Sequence, residues 1–192
     1  MNGRIPIIPT IFVLAAAATM VALGVWQLGR ADEKAALIAQ FEAAATEASP
    51  VPFPTDETGE GQWFRRSQVD CTKVLSVGPV SGTAANGAKG WTIRATCENG
   101  AGRAPVLVDL GFTQTLGEED WSRYVGRVTG MVAPGPRLVA DPPVDGLFAL
   151  ARPDPSDLPN NHLSYAGQWF FFALTALVIY FIALRARMAK RD

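Results

Sequence analysis

The sequence predicts an α+β membrane protein in which two transmembrane helices flank a small, mainly antiparallel β-barrel or sandwich domain. Three observations predict it. Uncharged stretches run from Ile5 to Gly29 and from Leu163 to Leu184. As a helix, even the shorter spans roughly 33 Å, against a bilayer core of about 30 Å. Between them, from Trp63 to Leu150, short β-rich runs alternate with turns rich in Gly and Pro. Finally, Arg185, Arg187, Lys190 and Arg191 close the second stretch, as a cytoplasmic flank does.

Composition narrows the choice. The chain has 192 residues, is 48% hydrophobic and carries a formal net charge of −1. Once the two spans are set aside, enough remains for one small domain with its own core. The near-zero charge, with basic residues that form no stripe, makes no electrostatic case for binding nucleic acid.

In chain order, residues 1–4 form a short N-terminus with Arg4 before the first span, residues 5–29. A basic start and an Ala-rich apolar core also suit a cleaved signal peptide, but the run closes on VWQLGR and not on a small-residue cleavage site. An uncleaved anchor is the expectation. Pro6 and Pro9 fall in the first turns, where a missing N–H costs least. Residues 30–62 read as a helical stalk and linker: Ala31 to Ala48 is Ala-rich, with Leu37 and Phe41 four apart, and Ser49-Pro50 stops it. PVPFP and TDETGEG then read as exposed linker.

Residues 63–150 form the expected β-domain. FRRSQV, GWTIRATC, PVLVDLGF, YVGRVTGMV and FALA read as strands, separated by GPVSG, ENGAGR and APGP. Trp91, Ile93, Ala95 and Cys97 fall on one face of their strand, and Val106, Val108 and Leu110 on one face of the next. Residues 151–161 return the chain to the membrane, with Asn160 or Asn161 available to cap the second helix. The second span is residues 162–184, and residues 185–192 form the basic tail.

The only histidine, His162, stands at the mouth of the second span. On a helical wheel it shares a face with Tyr165, Ala166, Trp169, Ala173, Ala176 and Tyr180. Alanines let another helix or a flat ligand approach closely, and the aromatics suit a planar partner. A lone histidine at this level is also an ordinary cap or headgroup-level residue. On the first helix Trp26, Gln27, Arg30 and Lys34 lie within about 100° of one another. Trp with Arg beyond it is the usual membrane anchor. The sharper reading turns Gln27 and Arg30 toward the second helix near His162.

Two motifs carry a resemblance. NNHLSYAGQWF, from Asn160, resembles the second membrane segment of the surfeit locus protein 1 family, assembly factors of haem–copper cytochrome c oxidase. LGVWQLGRADEK, from Leu23 to Lys34, is similar to that family's first membrane segment, and Gly24, Trp26, Gln27 and Lys34 match its motif and packing positions. The resemblance implies an assembly factor, not an enzyme, that assists insertion of haem a into the catalytic subunit. It implies haem a as a transient cofactor, with His162 as its iron ligand and Tyr165 and Trp169 beside it. Arg30 is a plausible partner for a propionate. The catalytic subunit of the oxidase is the implied partner, with the haem a synthase a second candidate and membrane lipid around both helices. The implied location is a bacterial inner membrane, with both termini cytoplasmic and the central domain periplasmic. The alternative is a structural membrane partner of the oxidase that binds no haem.

Cys71 and Cys97 are the only cysteines. In an oxidising compartment they read as a disulfide between two strands. A copper or redox pair is the alternative, though the spacing is not that of a preformed thiol site. GTAANGAKG, from Gly82, brushes the phosphate-loop pattern but has no Ser or Thr after its lysine, and reads as a hairpin turn. Asp109 and the Glu118-Glu119-Asp120 cluster read as solvated turn residues, with no partner base evident. With no nucleophile beside a base, the chain is a poor candidate for an enzyme.

Overall fold

The computed structural model describes residues 6–54, 59–100, 104–117 and 120–189. These fall into two compact units: a helical unit made of the chain up to Leu37 and from Pro159 onward, and a sheet unit from Ile38 to Leu158.

The helical unit holds the apolar parts of α1 (Ile7–Thr46) and α2 (His162–Ala189). Both are long and apolar enough to cross a membrane. At 40 residues, α1 is about 60 Å long, twice a bilayer core, because its Ala-rich continuation past Arg30 stays helical to Thr46. The two helices run antiparallel and meet along a seam of small residues. Ala17, Gly24 and Ala31 on α1 and Ala166 and Ala173 on α2 are buried there, repeating every seventh position as in a coiled-coil seam. A Cβ at Gly24 would come within 2.5 Å of the Phe170 ring, so a larger residue there would require that ring to move. Side chains off the seam, such as Ile8, Phe12, Phe171 and Ile179, stand exposed, as a lipid-facing surface requires.

Among the described residues the sheet unit contains seven strands: β1 (Val51–Pro52), β2 (Arg66–Cys71), β3 (Lys73–Thr83), β4 (Lys89–Glu98), β5 (Val106–Thr113), β6 (Gly126–Ala133) and β7 (Arg137–Ala140). They form one sheet in the order β1-β2-β6-β7-β5-β4-β3. The expectation of a mainly antiparallel barrel or sandwich is therefore corrected. The sheet is open, and two of its pairings, β1 with β2 and β5 with β7, are parallel. The edges explain the opening. β1 is two residues long and includes Pro52, while β3 carries Pro79 and a bulge after Val74, so neither edge offers a continuous row of N–H donors.

β2 and β3 are separated only by Thr72, yet they sit near opposite ends of the strand order. The sheet must therefore curl, and the Thr72 N–H donates to the Glu98 carbonyl across the gap at 2.9 Å. Inside the curl lie Val69, Cys71, Ile93, Ala95, Cys97, Val106, Val108, Leu110, Val128 and Leu138. Ile93, Ala95 and Cys97 share that face as the alternation predicts, but Trp91, at the start of β4, remains exposed. A register shift between Ile93 and Arg94 places Leu110 as an extra residue in β5. The faces then change beyond it, and Phe112 joins Ala84, Ala133, Val139 and Leu150 in a second cluster on the outer side.

Three local expectations change. GPVSG is the interior of β3 and not a turn; Pro79 is tolerated because the strand is an edge. PVPFP contributes β1 and is not free linker. FALA makes only isolated bridges, Phe148 with Phe112 and Leu150 with Ala84. The Gly82–Gly90 segment does form the β3–β4 hairpin, with Gly87 at φ 85° in its turn. Part of ENGAGR, and Glu118 and Glu119, lie outside the described residues.

The end of α1 is anchored in the sheet unit by aromatic packing. Phe41 is buried against Trp63 and Phe64, with ring centroids 5.7 and 5.3 Å away. Phe64 is held at φ 64°, an uncommon conformation for a residue with a side chain, and its N–H donates to the Val132 carbonyl at 2.8 Å.

Candidate functional site

Antiparallel packing brings the N-terminal end of α2 beside the Gln27–Ala31 turn of α1. There His162 Nδ1 lies 2.7 Å from Gln27 Oε1. An amide oxygen can only accept, so Nδ1 carries the proton and donates. In the neutral ring, the tautomer with this donor leaves Nε2 as the nitrogen that carries a lone pair. This is the arrangement in which a metal-bound histidine is usually held, its other nitrogen hydrogen-bonded to an oxygen that fixes tautomer and ring orientation. Asn160 does not cap α2. Its Nδ2 donates to the Ala31 carbonyl on α1 at 3.2 Å, clamping the same end of the seam. At the far end, the hydroxyls of Thr10 and Tyr180 hydrogen-bond. Polar contacts thus close the seam at both ends, with alanines and Gly24 between.

The expected face of α2 divides in two. Ala166 and Ala173 receive α1, so the small-residue surface serves the neighbouring helix and not a flat ligand. Tyr165 stays 49% exposed beside the seam and Trp169 is half-buried. On α1 only Gln27 of the motif's polar residues reaches His162. Arg30 is half-exposed and pairs with Glu33 one turn on, while Trp26 is exposed as a membrane anchor would be. Lys34, seven residues beyond Gln27, is partly buried.

The sheet unit holds two features that sequence reasoning treated differently. Cys71 and Cys97 form a disulfide with Cα atoms 5.1 Å apart, both side chains buried. It ties the β2 end of the curl to β4, strands that are not neighbours in the sheet. Asp109 was expected in solvent, but it is 4% exposed. Arg94 donates to it from Nε at 2.6 Å and Nη2 at 3.0 Å, and Arg137 Nε donates at 3.0 Å. The hydrogen bond to Asp109 holds the Arg94 guanidinium above its ordinary pKa, against the lowering effect of burial. Its partners come from β4 and β7, so spacing along the chain carried no trace of this group. The one available signal was pairing register, which sets Arg94 opposite Asp109.

The carboxylate offsets two guanidiniums that are themselves about one-third exposed. Asp109→Ala should therefore lower the unfolding free energy by about 2–3 kcal/mol, somewhat less than for a fully buried pair. An unchanged urea midpoint for the detergent-solubilised chain would show the triad to be ornamental.

The model for the SURF1 family matches residues 14–174, which takes in both helices' motifs and the whole sheet. No curated protein matches the chain.

Proposed function

The chain belongs to the SURF1 family, and from that premise we propose that it assists insertion of haem a during assembly of cytochrome c oxidase, binding the cofactor transiently through His162. The family is linked to cytochrome oxidase assembly and is a family of assembly factors, not a class of enzymes. The observation that carries the finer reading is the His162–Gln27 hydrogen bond, which leaves Nε2 as a free ligand at the membrane boundary. The residues present fit a haem held by one protein ligand. His162 is half-buried, Tyr165 offers an exposed ring one turn away, and the closed seam directs a planar group to the outside of the helix pair. Arg30 lies one turn beyond Gln27; to meet a propionate it would exchange its exposed partner Glu33, a small cost for a surface ion pair. Haem a, when bound, supplies the iron and an apolar tail; these side chains only hold and release it. The catalytic subunit of the oxidase is the recipient in this reading, and the haem a synthase the donor.

A second reading has its own support. The His162–Gln27 and Asn160–Ala31 bonds also serve simply to clamp two helices, as a structural partner of the oxidase would need. An optical spectrum of the full chain, purified after co-production with haem a, separates the two. A stoichiometric Soret band supports the carrier, and a haem-free protein that still promotes oxidase assembly supports the clamp.

We infer the orientation from charge: Arg185 and Arg187 follow the second span, whereas Arg152 alone precedes it nearby, which favours a cytoplasmic C-terminus, and the family reading favours a bacterial inner membrane. In this reading two spans return the N-terminus to the same side, with the sheet unit in the periplasm. A reporter active only in the periplasm should be active when fused at Gly117 and silent after Asp192; the reverse pattern would sink this topology.

A further inference from the structure

On the outer face of the sheet, Arg94 and Arg137 share the one carboxylate of Asp109, so the group carries a positive charge in excess. Both guanidiniums are about one-third exposed, while the carboxylate between them is buried. Its oxygens are already taken: Oδ1 accepts from Arg94 Nε, and Oδ2 from Arg94 Nη2 and Arg137 Nε. Arg137 Nη1 donates to the Pro134 carbonyl. Among the described residues no acceptor meets Arg94 Nη1 or Arg137 Nη2, so each arginine keeps a nitrogen with two unspent N–H donors. Strand register shows what surrounds them. Ser76, Thr96, Leu107 and Arg137 stand in one row across β3, β4, β5 and β7, and Gly78, Arg94 and Asp109 in the next. Ser76 Oγ donates to Thr96 Oγ1 at 3.0 Å, which leaves the Thr96 hydroxyl to donate in turn. A Cβ at Gly78 would meet nothing, so the sheet surface next to Arg94 is open on the β3 side. Glu98 is the one acid on β4, about 13 Å along the strand from Arg94.

We propose that this patch is a docking point for a partner protein, where Arg94 and Arg137 together grip an exposed Asp or Glu carboxylate of the partner. The inference goes beyond the haem reading, and draws on the assembly reading only in expecting a protein partner. Charge decides the class of ligand. One excess positive charge matches one carboxylate, whereas a phosphate dianion would stay half-neutralised, and planar guanidinium forks match a planar carboxylate. A lipid phosphodiester also carries a single charge. Segments that dock on lipid, however, pair their cations with inserted apolar side chains. Here Ser76, Thr96 and Gly78 border the arginines, and Leu107 between them is partly buried. Asp109 also fixes both guanidiniums before a partner arrives, so little side-chain freedom is lost on docking.

The test uses the full chain in nanodiscs of zwitterionic lipid, with the arginine side-chain nitrogens labelled and read by NMR. The probe is acetyl-glutamate amide, and its glutamine counterpart is the neutral control. The Arg94 and Arg137 signals should shift saturably with the glutamate probe and not with the control, and added salt should weaken the binding. Arg137→Gln leaves Asp109 in the fork of Arg94 and removes the excess charge. It should weaken the probe about tenfold or more, as loss of charged hydrogen bonds does, and Arg137→Lys should recover part of that. Should Arg137→Gln fail to fold, Thr96→Glu, which sets a carboxylate beside Arg94, should block the probe instead. A wild type with no shift would overturn the docking point and leave the three side chains as a strut of the sheet. Probe binding that survives Arg137→Gln and Thr96→Glu would overturn it too. Tighter binding of inorganic phosphate than of the glutamate probe, or the same shifts in anionic-lipid nanodiscs without a probe, would overturn it in favour of a phosphate or headgroup site. None of these outcomes touches His162, so the haem reading stands or falls separately.

Discussion

On the proposed carrier reading, His162→Ala should abolish the haem a Soret band of the purified chain while the protein still inserts and folds. The expectation rests on the division of labour around the ring. Its Nδ1–H is committed to Gln27, so the only contribution lost toward iron is Nε2, and no other histidine exists to replace it. The fold should survive, since the seam retains Ala17, Gly24, Ala31, Ala166 and Ala173, and Asn160 still reaches Ala31. Gln27→Leu provides an intermediate case. It frees the tautomer and the ring without touching the ligand, and should weaken haem a about 10- to 100-fold, as loss of a supporting hydrogen bond does at metal sites. Trp169→Ala should cost about 1–3 kcal/mol of binding through lost contact area. A His162→Ala protein with a full Soret band and normal oxidase assembly would end the carrier reading and leave the histidine as a helix clamp.

The second large effect concerns the disulfide. Replacing both Cys71 and Cys97 with Ser should destabilise the sheet unit by about 3.5 kcal/mol in the chain-entropy picture, for a sequence separation of 26. Two buried hydroxyls in the core would add to that. In a domain of this size the melting temperature should fall by on the order of 10 °C. Haem a binding should persist, because the helical unit has its own packing. Non-reducing digests of wild type should yield one cross-linked peptide pair and no free thiol, as an oxidising compartment allows. A double variant of unchanged stability that loses oxidase copper would instead favour a metal role for the pair.

The two spans and the His162 end of the seam were legible in the sequence because the bilayer makes local rules sufficient. Every backbone group in lipid must be paired within its own helix, so length and charge mark the two helices, and the helical wheel groups Gln27 with Trp26, Arg30 and Lys34; that Gln27 faces His162 is one of two readings the wheel allows, and packing decides it. The same periodicity put Ala166 and Ala173 on His162's face but left open whether a helix or a flat ligand would meet them; packing gave them to α1. In the sheet unit the local signals reached only as far as individual strands. Alternation puts Ile93, Ala95 and Cys97 inward, but GPVSG has the composition of a turn, since nothing local says that a strand will end up at an edge that tolerates Pro79. Asp109 was unreadable for a related reason: its guanidiniums arrive from β4 and β7, brought in by strand order. The sequence by itself determined two helices long and apolar enough to cross a membrane, the histidine's position at the start of the second and the existence of a β-domain, all consequences of short-range geometry. The open mixed sheet, the Arg94–Asp109–Arg137 group and the closed seam were decided only by tertiary structure, because they depend on which distant segments become neighbours, and strand pairing leaves no periodic mark along the chain.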